Sequence, residues 1–599
     1  MTTSQVLTKA KVLTSKGDFE QAEHLIVSVL SKYPNNKSAQ QHLIRLSQKR
    51  ADKYGPAIQL QTQRLLELAH TFENGDYKTS IELCNNLKLL YPEKFIIWFM
   101  DGVAKRHLSA FNEAFQSFEM ALKINPKHAE LHFEIGRALE ESGDNKNAYK
   151  SYHRSKILDP DDARPENALG LMYQKAQKYE KAFDLFVKAT EADPRSADSF
   201  NNAALACNEM LDFEESSRFV AKAIELEPTV PQFHLNAAFI QSLKGNIQNA
   251  LTMHEDAIER AKAASMSHLV DEFSFNEALI RLANGQIERG WAAYKKRFES
   301  LNFPSKKRKF DKPHLKNITE ARNKKILLWK EQGLGDEFMF LNLAKYFQNI
   351  TNCKFIIEGS FRLKSLMQRS FPDDEVLDVG YDAKNDSFFT HANDFDFHMP
   401  YGDFPILLNL KENSLDMITP YLKADKELVK KWNNELPSGK LRVGFSWRSQ
   451  LKHGIRKIGY TELDQWEKLI SSEHYSFINL QYGDVAEDIN NTSETIRDNL
   501  FQPKIDLKND LENVAAIIEN CDVVIAPGNA VLHQAAAQGK KTITYVRPDG
   551  SYFLGRKQKL NQASRHPFLY DNYAVCYDPI DKALIPKLVE KELFNITTS

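Results

Sequence analysis

Prolines recur at a constant spacing of 34 residues across much of the first half of this 599-residue chain. A glycine or an alanine recurs at the same step, and alanine and aromatic residues precede the prolines. A fixed period of this length is typical of stacked helix–turn–helix units, because one helix pair cannot bury its apolar face alone. We expect the small residues to let paired helices approach closely, and the aromatic residues to fill the space to the next unit. The prolines are Pro92, Pro126, Pro160, Pro194 and Pro228, and the small residues are Gly102, Gly136, Gly170, Ala204 and Ala238.

This periodic pattern resembles the tetratricopeptide repeat (TPR) over about residues 3–300. We expect each proline to end the second helix of a pair or to start the next helix. Gly75, Gly143 and Gly245 fall at the turn, where left-handed backbone is needed. A first unit is predicted before Pro34, and about 24 extra residues separate it from the regular series. The last unit, at residues 275–294, is degenerate and is expected to cap the solenoid or to join it to the next domain.

Three asparagines share one phase of the first helix of their units. Asn202, Asn236 and Asn276 each precede a small residue by two positions. An amide side chain offers both a donor and an acceptor to an extended peptide backbone. The arrangement is similar to the asparagine ladder of O-GlcNAc transferase, which implies a protein acceptor bound along the concave face. The alternative is that these asparagines cap or space helices locally, and Asn167 is out of phase by one residue.

The second half of the chain changes from the helical period to apolar runs that alternate with helical segments. Strands are predicted near residues 325–329, 353–357, 375–379, 395–400, 441–447, 475–480, 522–526 and 541–546. This alternation favours parallel sheets. We therefore predict an α-helical TPR solenoid followed by an α/β domain of two Rossmann-like halves. The predicted boundaries are a solenoid at 1–300, a basic linker at 301–323, an N-terminal half at 324–437 and a C-terminal half at 438–599. The basic run at residues 306–309 is read as a solvated interdomain segment rather than a nuclear signal or a phosphate patch.

The loop after the first predicted strand has the sequence Gly-Leu-Gly-Asp at residues 333–336. Gly333 and Gly335 allow a tight turn and a close approach of the backbone to a ligand. The following helix, predicted over residues 338–347, would favour an anion at its N-terminus. Asp336 is either the N-cap of that helix or a general base for an acceptor hydroxyl. A Gly-x-Gly-x-x-Gly dinucleotide fingerprint is absent.

Further candidate residues follow three later strands. The cationic group after the strand at 441–447 would neutralise a diphosphate, unless it is only an exposed basic loop. The pair after the strand at 475–480 would contact a nucleobase. The group after the strand at 522–526 would present backbone N–H groups and an imidazole to phosphate or ribose, although a lone histidine is more often packed or capping. These groups are Arg448, Lys452 and Arg456; Gln481 and Tyr482; and Gly528, Asn529, Ala530 and His533.

Taken in order, four segments resemble the family 9 glycosyltransferases, the heptosyltransferase group. They are residues 329–336, 443–448, 479–484 and 522–533 with the Gly-Lys-Lys of 539–541. The resemblance covers about residues 324–580 and implies a GT-B fold, metal-independent transfer from a nucleotide sugar, and Asp336 as the base. The family's last motif has Asp-Thr where this chain has Gly528 and Asn529, which puts the donor's identity in doubt. The layout is also similar to O-GlcNAc transferase and to the bacterial flagellin glycosyltransferases.

The predicted function is transfer of a sugar from a nucleotide sugar to Ser or Thr hydroxyls of a protein recruited by the repeats, such as flagellin or another surface protein. One alternative is a TPR scaffold or chaperone with an inactive transferase domain. Another is a glycolipid or polysaccharide transferase. The net charge of −1 excludes a global field for nucleic acid. Five scattered cysteines, no signal peptide and no long apolar run predict a cytoplasmic protein without a membrane span. No metal or cofactor is expected, and the oligomeric state is left open.

Overall fold

The computed structural model describes residues 2–33, 36–54, 57–300, 303–382, 387–389, 392, 394–411, 417–449, 459–546, 562–566, 572–576 and 583–598. The chain forms two compact units, Met1–Ala206 and Cys207–Ser599. The predicted boundaries near residues 300, 323 and 437 stay predictions. Within the described ranges, no helix is both long and apolar enough to cross a membrane.

The first unit is built from helices that pair with their neighbours in the chain. These pairs are the TPR-type repeats that the proline period predicts. The helices are α1 (Thr3–Lys16), α2 (Phe19–Lys32), α3 (Lys37–Tyr54), α4 (Ala57–Glu73), α5 (Tyr77–Leu90), α6 (Phe95–His107), α7 (Phe111–Ile124), α8 (Ala129–Glu141), α9 (Asn145–Leu158), α10 (Arg164–Lys175), α11 (Tyr179–Ala192) and α12 (Ala197–Glu209), within which the unit ends.

Each of the five periodic prolines lies two residues after the last residue of a helix. Pro126, for example, follows α7, which ends at Ile124 with Asn125 as its C-cap. Proline cannot supply the N–H that would continue the helix, so the second helix of each pair stops there. The prediction that the prolines end these helices is confirmed. Pro34, of the predicted first unit, lies outside the described residues.

The aromatic residues of the second helices pack on glycines of the first helices. A Cβ atom added to Gly136 of α8 would lie 2.6 Å from the Tyr152 ring of α9, and one added to Gly170 of α10 would lie 2.5 Å from the Phe186 ring of α11. The ring therefore sits on the glycine of its own helix pair. Glycine leaves a hollow in the partner helix that is the size of a ring edge. Tyr152 also belongs to the same buried cluster as Leu169 of α10, in the next unit.

The turns between paired helices use left-handed backbone at a 34-residue step. Gly75, Gly143 and Gly245 have φ of +71°, +92° and +78°, which confirms their predicted role. The intervening turns place Ser109, Gln177 and Leu211 in the same conformation, with φ of +58°, +59° and +68°. A side chain at such a position costs about 1–2 kcal/mol.

Exchanging residues at two of these turns should therefore change stability in opposite directions. Gln177→Gly is expected to stabilise the first unit by about 1 kcal/mol, because Gln177 is exposed and only its backbone is strained. Gly143→Gln is the matched reverse exchange. Nothing lies within 4 Å of the added Cβ, so its cost should come from the backbone alone. Thermal melts of the two variants should move to opposite sides of the wild type, and a shift of the same sign in both would contradict this account.

The second unit begins with helices and continues into an α/β region. Its helices are α13 (Phe213–Leu226), α14 (Pro231–Leu243), α15 (Ile247–Ala263), α16 (Ser267–Ala283), α17 (Ile287–Tyr294), α18 (Leu334–Leu341), α19 (Ala344–Thr351), α20 (Lys364–Ser370), α21 (Phe404–Leu407), α22 (Lys426–Glu435), α23 (Glu467–Ile470), α24 (Ala486–Asn490), α25 (Glu494–Asn499), α26 (Leu511–Glu519), α27 (Ala530–Ala537) and α28 (Leu584–Thr598).

Two sheets of mainly parallel strands form the α/β region. The first has the order β3–β2–β1–β6 and is parallel throughout, and the second has the order β12–β13–β11–β10–β7–β8–β9 with β12 antiparallel. β4 and β5 pair as a separate antiparallel ribbon. The strands are β1 (Lys325–Trp329), β2 (Lys354–Gly359), β3 (Glu375–Asp378), β4 (Gly380–Asp382), β5 (Ser387–Phe389), β6 (Phe397–Pro400), β7 (Leu441–Phe445), β8 (Tyr475–Asn479), β9 (Leu500–Phe501), β10 (Val523–Ile525), β11 (Lys541–Val546), β12 (Gln562–His566) and β13 (Asn572–Cys576).

The predicted parallel sheets are confirmed, and each predicted strand overlaps an observed one. Two helix predictions were wrong in extent. The helix predicted over 338–347 is two helices, α18 and α19, with a break at Asn342 and Leu343. The helical stretch predicted over 411–436 contains only α22 among its described residues.

Candidate functional site

The N-termini of two helices meet in the second unit, and each helix follows a strand of a different sheet. α18 follows β1, and α27 follows β10. A Cβ atom added to Gly335 would lie 3.0 Å from Cδ2 of His533 and 3.7 Å from Cα of Ala530. Three predicted residues, Gly335, Ala530 and His533, therefore come together, although nearly 200 positions separate them in the chain. Glycine is needed at 335 because the imidazole occupies the space that a side chain would take.

Asp336 lies half-buried on the first turn of α18. The N-cap residue of this helix is Gly333, which has no side chain to cap with. The interpretation of Asp336 as the N-cap residue was therefore wrong. Asp336 is close enough to Tyr294 of α17 to contribute to the raised pKa of that phenol, which is caused mainly by burial and next by Glu331. Its role as a base stays a prediction.

Gln481 is the centre of a buried hydrogen-bond cluster. Its Oε1 accepts from Ser446 Oγ at 2.9 Å, from the Trp447 N–H at 3.0 Å and from the Arg448 N–H at 2.9 Å, and its Nε2 donates to the Tyr482 carbonyl at 3.2 Å. These bonds use the amide to hold the loop after β7 against the loop after β8. The structure thus gives Gln481 a positioning role, and the predicted nucleobase contact stays a prediction.

Arg448 has partners within the protein. Its guanidinium pairs with Asp488 and donates to the carbonyls of Asp484, at 3.0 Å, and Ser449, at 3.3 Å. Only 6% of the residue is exposed. These bonds give Arg448 a structural role, and the predicted diphosphate contact stays a prediction. Lys452 and Arg456 lie outside the described residues.

Asn529 caps α27. Its Oδ1 accepts from the N–H groups of Val531 and Leu532 at 3.1 and 3.3 Å, and its Nδ2 donates to Ser446 Oγ at 2.9 Å and to the Arg448 carbonyl at 3.2 Å. The asparagine therefore ties the start of α27 to the loop after β7. The preceding Gly528 is exposed, which leaves the backbone at this helix start accessible from solvent.

A cavity of about 460 Å³ opens beside the loop after β8. It lies between residues 479–485 and 502–509, which follow β8 and β9. Predicted residue Gln481 is part of its wall, and Asp484 and Asp506 add carboxylates. Tyr482 is half-buried, and burial is the main cause that raises its pKa. The volume is that of a pocket for part of a small-molecule ligand.

The loop that carries Asp336 is attached to a buried charge cluster that the sequence analysis missed. Arg297 donates to Glu331 at 2.8 Å and to Asp403 at 2.7 Å, and Glu331 also accepts from the Gly402 N–H at 2.7 Å. Burial raises the pKa of Glu331 to about 7, against the lowering effect of Arg297. Gln332 of the same loop donates to the Tyr294 hydroxyl at 2.7 Å. Tyr294 of the degenerate last repeat is thus bonded to this loop.

Burial lowers the pKa of His533 to about 3, whereas an exposed histidine titrates near 6.5. Between about pH 3 and pH 6.5, His533 therefore binds a proton in the unfolded chain but not in the folded chain. Folding stability should therefore fall as the pH drops from about 6.5 toward 3, by about 1.4 kcal/mol per pH unit from this residue. His533→Gln should lose less melting temperature than the wild type between about pH 7 and pH 5. His474→Gln, at an exposed position, is the control, and equal losses in all three proteins would contradict the assignment.

The three predicted ladder asparagines are divided between the two compact units, one in the first and two in the second. Asn202 lies in the first unit and donates to Asn167 Oδ1 at 3.0 Å, so the residue that is out of phase by one is its partner. In the second unit, Asn236 accepts from Gln232 Nε2 at 3.2 Å, and Asn276 is half-buried on α16. A shared ladder of the three stays a prediction.

Comparisons with known proteins give limited further information. No family model matches the chain. FlbA of Caulobacter vibrioides is 30% identical over 267 residues, which are 42% of this chain and 44% of FlbA. The chain thus spans under half of the length of that relative, and membership of a family is not established.

Solved structures with some likeness are helical repeat proteins. MamA is 20% identical with a TM-score of 0.26 and covers 28% of this chain and 96% of its own. The C-terminal part of a TPR protein from Cytophaga hutchinsonii is 16% identical with a TM-score of 0.32, over 38% of this chain and 92% of its own. YrrB, described as a TPR protein with an unusual peptide-binding site, is 16% identical with a TM-score of 0.26, over 30% and 91%. At these scores the likenesses add nothing to what the helix pairs themselves establish.

Proposed function

We propose that the protein is a GT-B glycosyltransferase that moves a sugar from a nucleotide sugar to Ser or Thr hydroxyls of a protein held by its TPR-type repeats. Flagellin or another surface protein is the proposed class of acceptor. The reaction is a displacement at the anomeric carbon, in which the acceptor oxygen loses its proton to Asp336 and the nucleotide leaves as an anion.

The observation that carries this proposal is the meeting of α18 and α27 at Gly335 and His533. Each helix follows a parallel strand, and ligands of open α/β sheets bind beyond the carboxyl ends of such strands. Helix N-termini favour a departing phosphate, whose charge increases in the transition state. A carboxylate on the first turn of α18 stands at the same place, which suits removal of a proton from an incoming hydroxyl.

The donor is proposed to lie across the start of α27 and the loops that follow β7 and β8. In that placement, Gly528 and Ala530 approach the diphosphate and His533 borders it as a neutral side chain. The cavity beside Asp484 and Asp506 has room for the nucleoside. Arg448, Gln481 and Asn529 then act as positioning residues that hold these loops together, since their polar atoms bond to one another's loops.

One observation favours the alternative of a TPR scaffold without transferase activity. The side chains of Arg448, Gln481 and Asn529 already bond to groups within the protein. A domain that has lost its donor site would keep such bonds for stability alone. This alternative is a second candidate because it explains the same network without any ligand.

A donor screen separates the two candidates. The full chain is melted with UDP-, GDP-, ADP-, dTDP- and CMP-sugars, and each hit is incubated with a candidate acceptor protein whose intact mass is then measured. The transferase proposal expects one nucleotide class to raise the melting temperature and to add one sugar mass or a multiple of it to the acceptor. A stable complex with the acceptor that forms without donor, and with no mass gain for any donor, would support the scaffold instead.

A further inference from the structure

A second cavity, of about 850 Å³, lies beside the buried charge cluster, since Arg297 and Asp403 are part of its wall. The rest of the wall comes from residues that follow α17, from the segment 307–318, and from β1, β6 and α21. The segment predicted to be a solvated linker is therefore folded as one wall of a pocket. The volume falls within the usual range of small-molecule sites, about 300–1,000 Å³.

The wall of this cavity is strongly basic. Arg297 and Arg308 are paired with carboxylates, while Lys307 has Glu299 only at 4.0 Å. Four more lysines have no ion pair among the residues that the structure describes, and all four are exposed. Asp403 is the acidic residue of the wall, and it is already bonded to Arg297 and His314. These four lysines are Lys295, Lys309, Lys312 and Lys316.

The deeper wall of the cavity is aromatic and rigid. Phe298, Phe310 and Trp329 line it together with His398. The Trp329 indole donates to His398 Nδ1 at 3.1 Å, and His398 is 7% exposed. A neutral imidazole that accepts at Nδ1 carries its proton on Nε2. A rigid aromatic wall beside several ammonium groups suits a ligand with both a planar part and negative charge.

We propose that this cavity is a separate binding site for a small polyphosphorylated ligand, such as a nucleoside triphosphate or an inorganic polyphosphate. The lysines supply point charges for several phosphate groups, and a pocket lined by one sign of charge raises the local concentration of the counter-ion. Unbound, the clustered lysines repel one another, so a bound polyanion stabilises the fold. The site is distinct from the Gly335–His533 apposition and does not depend on the transferase proposal.

Titration calorimetry of the full chain with sodium tripolyphosphate tests the site. The cavity variant carries Lys309→Gln, Lys312→Gln and Lys316→Gln. The control carries Lys426→Gln, Lys430→Gln and Lys431→Gln, which removes three exposed lysines from α22. We expect one saturable site in the wild type and in the control, with a Kd that rises tenfold or more in the cavity variant. Higher salt should weaken binding in the wild type, since exposed charges are screened.

Further probes identify the source of the phosphates and the location of the site. ATP binding more tightly than tripolyphosphate would show that the aromatic wall holds a nucleoside, and equal affinity would show that the phosphate chain suffices; both support the proposal. Equal Kd values in all three proteins, or no saturable binding, would overturn it. Loss of binding in His533→Ala with retention in the cavity variant would also overturn it, because the anion would then lie between α18 and α27. Tight binding of single-stranded RNA without a tripolyphosphate site would point to a nucleic-acid surface and would equally reject it.

Discussion

Asp336→Asn is expected to lower sugar transfer by about 10²–10⁴-fold, the usual contribution of a general base. Asparagine has nearly the same shape but cannot take a proton at neutral pH. Asp336 is half-buried on the first turn of α18 and follows Gly335, which contacts His533. Donor binding should be unchanged, because the proposed donor contacts are made by the start of α27. The measurement is a single-turnover rate by intact mass, together with the Kd of the donor.

Asp373→Asn is the matched control. Asp373 is exposed and lies between α20 and β3, so its loss should leave the rate unchanged. Turnover in Asp336→Asn within a few-fold of the wild type would remove the aspartate from the mechanism, while loss of donor binding would make its role structural.

The repeat half of the fold was predictable because its determinants are local and periodic. The prolines mark helix ends, and Gly75, Gly143 and Gly245 mark turns. The direction of the aromatic side chains was not predictable from the period. Tyr152 lies against Gly136 of its own pair, a contact that the 34-residue spacing alone does not specify.

The parallel sheets were predictable from apolar runs. The strands β9 and β12 were not predicted, for a physical reason in each case. Residues 562–566 read Gln-Ala-Ser-Arg-His and form β12 at the edge of the sheet. This run is mainly polar, so it lacks the apolar pattern that reveals β1 or β11. The two-residue β9 is too short to leave a pattern.

The candidate site was predictable as a set of loops but not as a set of contacts. Sequence reasoning chose the loops that contain Gly335 and His533, and these two residues touch. It assigned ligand roles to Gln481 and Asn529, whose partners lie about 35 and 80 residues away in the chain. A polar residue that follows the end of a strand gives the same sequence pattern whether its side chain binds a ligand or another loop.

Arg297→Met is expected to destabilise the second unit by about 3–5 kcal/mol, because it leaves two buried carboxylates without their cation. Arg297 is 1% exposed and lies between Glu331 and Asp403, at 2.8 and 2.7 Å. Methionine keeps much of the side-chain volume, so the loss should come from charge rather than from a cavity. Thermal melts report the overall shift, and hydrogen exchange should show the greatest loss of protection at β1 and at residues 401–403, where the two carboxylates are anchored.

The matched control is Arg218→Met. Arg218 forms an ion pair with Glu215, and its side chain is 78% exposed. An exposed pair contributes little, so this change should stay within about 0.5 kcal/mol. Adding Glu331→Gln and Asp403→Asn to Arg297→Met should restore part of the stability, because neutral amides cost less to bury unpaired than carboxylates do. If Arg297→Met melts like Arg218→Met, the buried cluster does not hold the loop of residues 331–336 in place. In that case the loop must be positioned by the apolar packing of α18 alone, and Asp336→Asn would have to be interpreted without a rigid support behind it.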